Sequence, residues 1–166
     1  MSKERFKQLV NTHGRLVMNV ALRVLGDSTS AQDVHQEVFL AIWRRWDRLD
    51  AQTISWSSYL YRTTVRKAIE LARRDRKFSA EPLTCEPTGS NVSADGNLRV
   101  AELQAKLTQR IAKLPQRQAE IFILSRLEGL SHQEISEILN ISPESARVYL
   151  HRAMKRLADE LQEFSN

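Results

Sequence analysis

The segment from Leu114 to Leu157 reads LPQRQAEIFILSRLEGLSHQEISEILNISPESARVYLHRAMKRL, and its punctuation decides the fold. Pro115 suits the first turn of a helix, where its missing N–H is not needed. Gly129 falls where that helix needs a left-handed C-cap. Ser131 and Glu134 form an S-x-x-E capping box, the start signal of a second helix. Asn140 can end that helix. Ser142 can cap a third, with Pro143 in its first turn. Ile135, Ile138, Leu139, Ile141, Ala146 and Leu150 have the spacing to face one shared core. A short helix, a tight turn and a second capped helix make a helix-turn-helix.

The third helix carries the chemistry. From Ser145 to Arg156 it holds Arg147, Arg152, Lys155 and Arg156 and no acid. Its outward positions are Ser145, Arg147, Val148, Tyr149, His151, Arg152 and Lys155. These side chains can bond base edges, touch a thymine methyl and contact phosphates. The pattern points to a recognition helix in a major groove, against the bland alternative of an amphipathic helix closing a small bundle. Two successive capped helices at this spacing are uncommon by chance, which favours the former. From Ser131 to Asn166 six acids face four basic residues, so the cationic character is confined to one helix face.

A chain of 166 residues suits one domain or two small ones. No apolar run approaches the ~18 residues that cross a bilayer, so no membrane insertion is expected. The N-terminus MSKERFKQLV has no apolar stretch of the signal-peptide kind. Cys85 is the only cysteine, which excludes an internal disulfide and a cysteine-based zinc site. These features favour a cytoplasmic location. Few segments alternate in the strand manner, so an all-α protein is expected. The net charge of +5 suits a polyanionic partner.

Residues 3–25 read as a helix ended by Gly26, with Gly14 marking a break or a close helix contact. Asp27 to Ser30 is a loop offering several N-caps. Ala31–Trp46 reads as a second helix with Val34, Val38, Ala41 and Ile42 inward. Phe39, Leu40 and Trp43 exceed what that inner stripe needs. They suit either a neighbouring helix or a partner with aromatic anchors. After a link over 47–57, Ser58–Lys77 reads as a long helix. Residues 56–78 hold seven basic residues and two acids, beside Trp56, Tyr59 and Tyr61. Basic residues interleaved with aromatics suit a strand with exposed bases. A solvated helix with cations near its C-terminus fits the same charge run. Residues 79–98 hold two of the four Pro and two of the five Gly and read as a flexible linker. Helical spacing then resumes at Val100, Leu103, Leu107, Ile111 and Leu114. No nucleophile–base set, metal cluster or phosphate-cradling glycine loop is visible, so neither an enzyme nor a cofactor is expected.

The expected architecture is two small helical domains joined by a linker, and it resembles the extracytoplasmic-function (group IV) sigma factors of bacterial RNA polymerase. AQDVHQEVFLAIWR at 31–44 is similar to the family's region 2.2. SWSSYLYRTTVRKAIELARRDRK at 55–77 is similar to regions 2.3 and 2.4, and 114–157 to region 4. The resemblance implies region 2 at 1–78, a linker at 79–98 and region 4 at 99–166. It implies docking on the β′ clamp helices of core polymerase through Asp33, Gln36, Glu37 and Trp43, with the β flap as a second contact. It implies −10 element recognition and melting by Trp56, Tyr59, Arg62, Arg66 and Lys67. It implies −35 element recognition by Ser145, Arg147, Val148, Tyr149, His151, Arg152 and Lys155. Arg66 stands where relatives often carry Asn, and Tyr149 where many carry Arg or Lys. An anti-sigma factor, promoter DNA and a bacterial cytoplasm complete the expected setting. A LuxR-type regulator, binding duplex DNA without polymerase, is the alternative that 130–157 also fits.

Overall fold

The computed structural model describes residues 3–49, 52–78 and 94–163. The linker at 79–98 lies outside them except for its last five residues, and Cys85 lies outside them altogether. The elements in chain order are α1 (Lys3–Leu25), α2 (Ser28–Arg44), a 3-10 turn (Trp46–Arg48), α3 (Trp56–Phe78), α4 (Ala94–Lys113), α5 (Gln116–Phe122), a π-helical turn (Ile123–Leu127), α6 (His132–Leu139) and α7 (Pro143–Glu163). The described residues contain helices and no strand, in keeping with the expected all-α class.

α1, α2 and α3 pack together around Val17, Ala21, Val34, Val38, Ile42 and Leu60. α1 ends at Gly26, whose φ of 69° is the left-handed conformation of a helix C-cap. It does not break at Gly14; a Cβ there would lie 3.3 Å from His35 Nε2 of α2, so this glycine marks a close helix contact. The Asp27 carboxylate caps α2, accepting from the Ser30 N–H at 3.0 Å and the Ser30 hydroxyl at 2.7 Å. These bonds hold its carboxyl below the usual carboxylate range. With the cap at Asp27, α2 starts three residues before the sequence expectation. α3 begins at Trp56, because Tyr59 N–H already bonds Ser55 O at 2.9 Å.

A second cluster joins the two halves. Val20 and Val24 of α1 and Val65, Ala68 and Ile69 of α3 are buried with Ile111, Leu114, Ile121, Ile135, Ala146 and Leu150. α4 starts at Ala94, inside the expected linker, and lies along α3 with its second half near the end of α1. The halves thus share a continuous apolar contact. Each fully buried aliphatic side chain contributes about 1.5–3 kcal/mol relative to exposure.

Asp27→Ala is expected to lower unfolding free energy by about 1 kcal/mol at neutral pH. Because the folded-state pKa of Asp27 is depressed, its contribution is present above the unfolded carboxylate pKa. It is lost as pH falls through the folded value. Urea titrations of parent and variant at descending pH should therefore converge in acid.

Candidate nucleic-acid and partner interfaces

The helix-turn-helix is assembled by its caps. Ser131 Oγ accepts from Glu134 N–H at 3.1 Å, and Glu134 Oε2 accepts from Ser131 N–H at 2.9 Å, closing the capping box. Gly129, with φ 70°, stands just before it. Asn140 ends α6 at φ 56° and ψ 50°, in the left-handed region. Ser142 Oγ accepts from Ser145 N–H at 3.1 Å and starts α7. Ala146, Leu150, Ala153 and Leu157 then bury one stripe of α7. The opposite face leaves Arg147, Val148, His151, Arg152 and Lys155 exposed. Two residues differ from the outward reading. Tyr149 is half-buried against the core, with the Arg152 guanidinium 5.9 Å from its ring centre. Ser145 is tied into the cap, its hydroxyl 2.9 Å from Ser142 Oγ.

On α2 the three bulky residues divide. Phe39 is buried, whereas Leu40 and Trp43 are 47% and 44% exposed. Asp33, Gln36 and Glu37 are also exposed, at helical spacing from Leu40 and Trp43. The surface is polar on one side and aromatic on the other. Trp43 is propped from beneath by Phe6, whose ring centre is 4.8 Å away. Glu37 lies 4.0 Å from both Lys67 and Arg74 of α3.

The α3 residues split into two groups. Trp56 and Tyr59 form an aromatic ladder: Trp46 stacks on Trp56 at 5.8 Å, Trp56 meets Tyr59 edge-on at 5.8 Å, and Arg62 sits 5.8 Å over Tyr59. Trp46 itself is buried and its indole N–H has no partner. Further along, the cations face the other half of the chain. Arg62 donates to Ile138 O at 3.2 Å, and Arg66 donates to Glu120 Oε1 at 3.0 Å. Arg73 donates to Ala112 O at 3.2 Å, Leu114 O at 2.9 Å and Gln116 Oε1 at 2.6 Å. A cleft of about 740 Å³ opens here, lined by Arg66, Arg73, Arg74 and Arg117 with Glu70 and Glu120. Arg62 and Arg73 are half-buried and Arg66 stays exposed, and all three bond residues of the C-terminal half.

The same junction contains residues that the sequence did not single out. Glu120 is a buried carboxylate that also accepts from Arg117 and Gln116. Glu128 pairs with Arg23 at 2.7 Å. Gln104 and Thr108 of α4 donate to Arg23 O and Val24 O at the end of α1. One signal was available: an acid at Glu120 among Ala119, Ile121 and Phe122 cannot be buried without a cation.

A capped helix-turn-helix whose last helix exposes a row of cations is the arrangement of a DNA-binding transcription protein. Residues 9–78 match the sigma-70 region 2 family and residues 104–157 match sigma-70 region 4. The chain belongs to the sigma-70 family, in its extracytoplasmic-function branch, and is an alternative sigma factor of RNA polymerase that directs transcription initiation. It is 28% identical over 171 residues to the ECF RNA polymerase sigma factor SigW of Bacillus subtilis (strain 168), covering 97% of this chain and 91% of that one. It is 27% identical to the RNA polymerase sigma factor CarQ of Myxococcus xanthus, covering 98% and 92%. Its fold is similar to that of CnrH in complex with the cytosolic domain of CnrY, with TM-score 0.59, 24% identity and coverage of 98% and 90%. Nothing in these matches supports the LuxR-type alternative. No helix among the described residues is long and apolar enough to cross a membrane.

Asn140→Gly should keep the turn between α6 and α7 at little cost in stability. Asn140→Val should lose about 1–2 kcal/mol, since a β-branched residue resists positive φ. Thermal unfolding of the two variants checks this.

Proposed function

We propose that this sigma factor divides its work between the three faces described above. The exposed α2 face, Asp33, Gln36, Glu37 and Trp43, docks on the clamp helices of the polymerase β′ subunit, and the C-terminal half meets the β flap. The start of α3, with Trp56, Tyr59, Arg62, Arg66 and Lys67, engages the single strand of the −10 element. Stacking on the aromatic ladder offsets the few kcal/mol that unstacking a base costs. The α7 residues Arg147, Val148, Tyr149, His151, Arg152 and Lys155, with Ser145 fixing the helix start, read the −35 element as duplex. The protein is not itself an enzyme; bond formation belongs to the core polymerase. It works in the bacterial cytoplasm, and an anti-sigma factor holds it inactive until a signal arrives.

The observation that carries this reading is the coexistence, on one chain, of a capped recognition helix whose stretch Ser145–Arg156 holds four basic residues and no acid, and an exposed Trp43 beside three polar residues on α2. A DNA-binding protein with no polymerase to dock on has no use for the second surface. The order of family matches, region 2 before region 4, supports the same division.

The test is transcription in vitro by purified core RNA polymerase on a pool of promoter fragments, with and without the protein. Protein-dependent start sites sharing two upstream elements are expected; their absence overturns the reading. Arg147→Ala should weaken use of the upstream element by about 1–3 kcal/mol while leaving core binding intact. Trp43→Ala should weaken core binding and leave duplex binding unchanged. Equal behaviour of the two variants in both assays would remove the division of labour.

A further inference from the structure

We propose that the cleft between α3 and α5 is a binding site for a short chain of phosphates, a diphosphate or triphosphate group, held by Arg66, Arg73, Arg74 and Arg117. The cleft measures about 740 Å³, within the range of small-molecule sites. These four arginines line it together with Glu70, Gln116 and Glu120. Four guanidiniums against two carboxylates leave the lining with a net charge of +2. The site goes beyond the division of labour under Proposed function: it needs neither DNA nor polymerase, and it shares only Arg66 with the residues assigned there.

The guanidiniums keep donors for a ligand. Arg66 bonds Glu120 Oε1 from Nε, and among the described residues its two Nη groups have no hydrogen-bond partner. Arg74 makes no hydrogen bond among them; its Nη2 stands 4.0 Å from Glu37 and from Glu70. Arg73 donates to neutral oxygens, those of Ala112, Leu114 and the Gln116 side chain. Arg117 reaches Glu120 Oε2 from one Nη at 3.2 Å. The side chains of Arg66, Arg74 and Arg117 keep a third to a half of their surface in solvent, so a ligand meets them without a change of fold.

The lining selects the ligand. Every side chain in it is charged or an amide, and none is aromatic. There is no platform for a base and no apolar wall for an acyl chain. Planar guanidinium forks pair bidentately with phosphate oxygens. Arg66 and Arg74 stand about 12 Å apart along the α3 axis at 1.5 Å per residue. A single phosphate meets one end of that row, whereas a chain of two or three runs along it. The two acids are not equivalent. Both oxygens of buried Glu120 already accept from Arg66, Arg117 and Gln116. Glu70 is exposed, at 4.0 Å from Arg74 and 3.8 Å from Lys67, and its carboxylate repels the incoming anion.

The experiment is calorimetric titration of the full free chain with tripolyphosphate in about 0.05 M salt, where screening is weak. Binding below about 1 mM is expected, with orthophosphate about tenfold weaker or more at equal ionic strength. ATP and CTP separate the sources. A nucleotide that binds no tighter than tripolyphosphate marks the inorganic chain as sufficient, and one that binds about tenfold tighter marks the nucleotide as the ligand. Arg74→Gln with Arg117→Gln should weaken tripolyphosphate about tenfold or more. Glu70→Gln should tighten it about threefold. Arg99→Gln with Lys106→Gln removes the same charge from exposed positions of α4 and should change affinity less than about twofold. No binding by the parent chain, no loss in the cleft pair, or an equal loss in the α4 pair overturns the proposal. If the cleft pair does not fold, Arg74→Gln alone, set against Glu70→Gln, carries the same test through opposite changes. Transcription does not enter the readout, so failure here leaves the sigma assignments standing, and absence of initiation leaves this site standing.

Discussion

The structure depends on α3 being buried from two sides. Leu60 faces the cluster with α1 and α2, while Val65, Ala68 and Ile69 face the cluster shared with the C-terminal half. A helix that buries two stripes leaves only its edges for charge. Arg62, Arg66, Lys67, Arg73 and Arg74 are thus confined to the strips where other elements pass close by. That confinement brings Arg62, Arg66 and Arg73 to carbonyl and carboxylate acceptors of the other half. Arginine suits the place: its planar fork serves several acceptors at once, as Arg73 does with Ala112 O, Leu114 O and Gln116 Oε1.

The charge arrangement at this junction decides geometry more than stability. Glu120 is buried, and its acceptors are shared among Arg66, Arg117 and Gln116. Burying a carboxylate carries a desolvation penalty that pairing only offsets, so such a group adds little net free energy. Removing one partner is costly, because the remaining charge is left without solvent. Arg66 and Arg117 are partly exposed, which reduces the Coulombic gain further. Apolar contact through Val24, Ile69, Ile111 and Leu114 supplies the attraction, and the ion pairs fix the register in which it forms.

Much of the helix-turn-helix was legible because its determinants are local. The Ser131–Glu134 box, the left-handed Gly129 and Asn140, and the Ser142 cap each act within four residues, and each is found where its residue type places it. Boundaries were less legible where several residues compete for one role. Asp27, Ser28, Thr29 and Ser30 can all cap a helix, and the carboxylate at Asp27 is the one that does. The burial of Phe39 and the propping of Trp43 involve Phe6, more than thirty residues earlier, whose ring centre lies 6.4 Å from the first and 4.8 Å from the second. Least legible was the junction. Arg23 meets Glu128 across 105 positions and Arg62 meets Ile138 across 76, and no periodicity encodes such a pairing. A run of basic residues on a helix reads the same whether its partner is solvent, DNA or another part of the chain.

The two faces proposed for DNA are prepared differently, and the difference follows from packing. α7 is pinned at its start by the Ser142 cap and along its length by Ala146, Leu150, Ala153 and Leu157. Its exposed side chains project from a rigid stripe, so meeting a duplex groove needs side-chain adjustment alone. The start of α3 has its aromatic rings stacked on one another and its nearest cations bonded within the protein. Receiving an unstacked base there requires those protein contacts to be exchanged for nucleic-acid contacts of the same chemical kind: guanidinium to phosphate in place of guanidinium to carboxylate, base on ring in place of ring on ring. Exchange of like for like leaves only a small balance between the two sets of contacts. The polar-and-aromatic face of α2 is joined to that balance through Glu37, which lies against Lys67 and Arg74 of α3. Both cations also lie within 4.0 Å of Glu70, so a partner that draws Glu37 into its own contacts leaves each of them with one acid neighbour on α3.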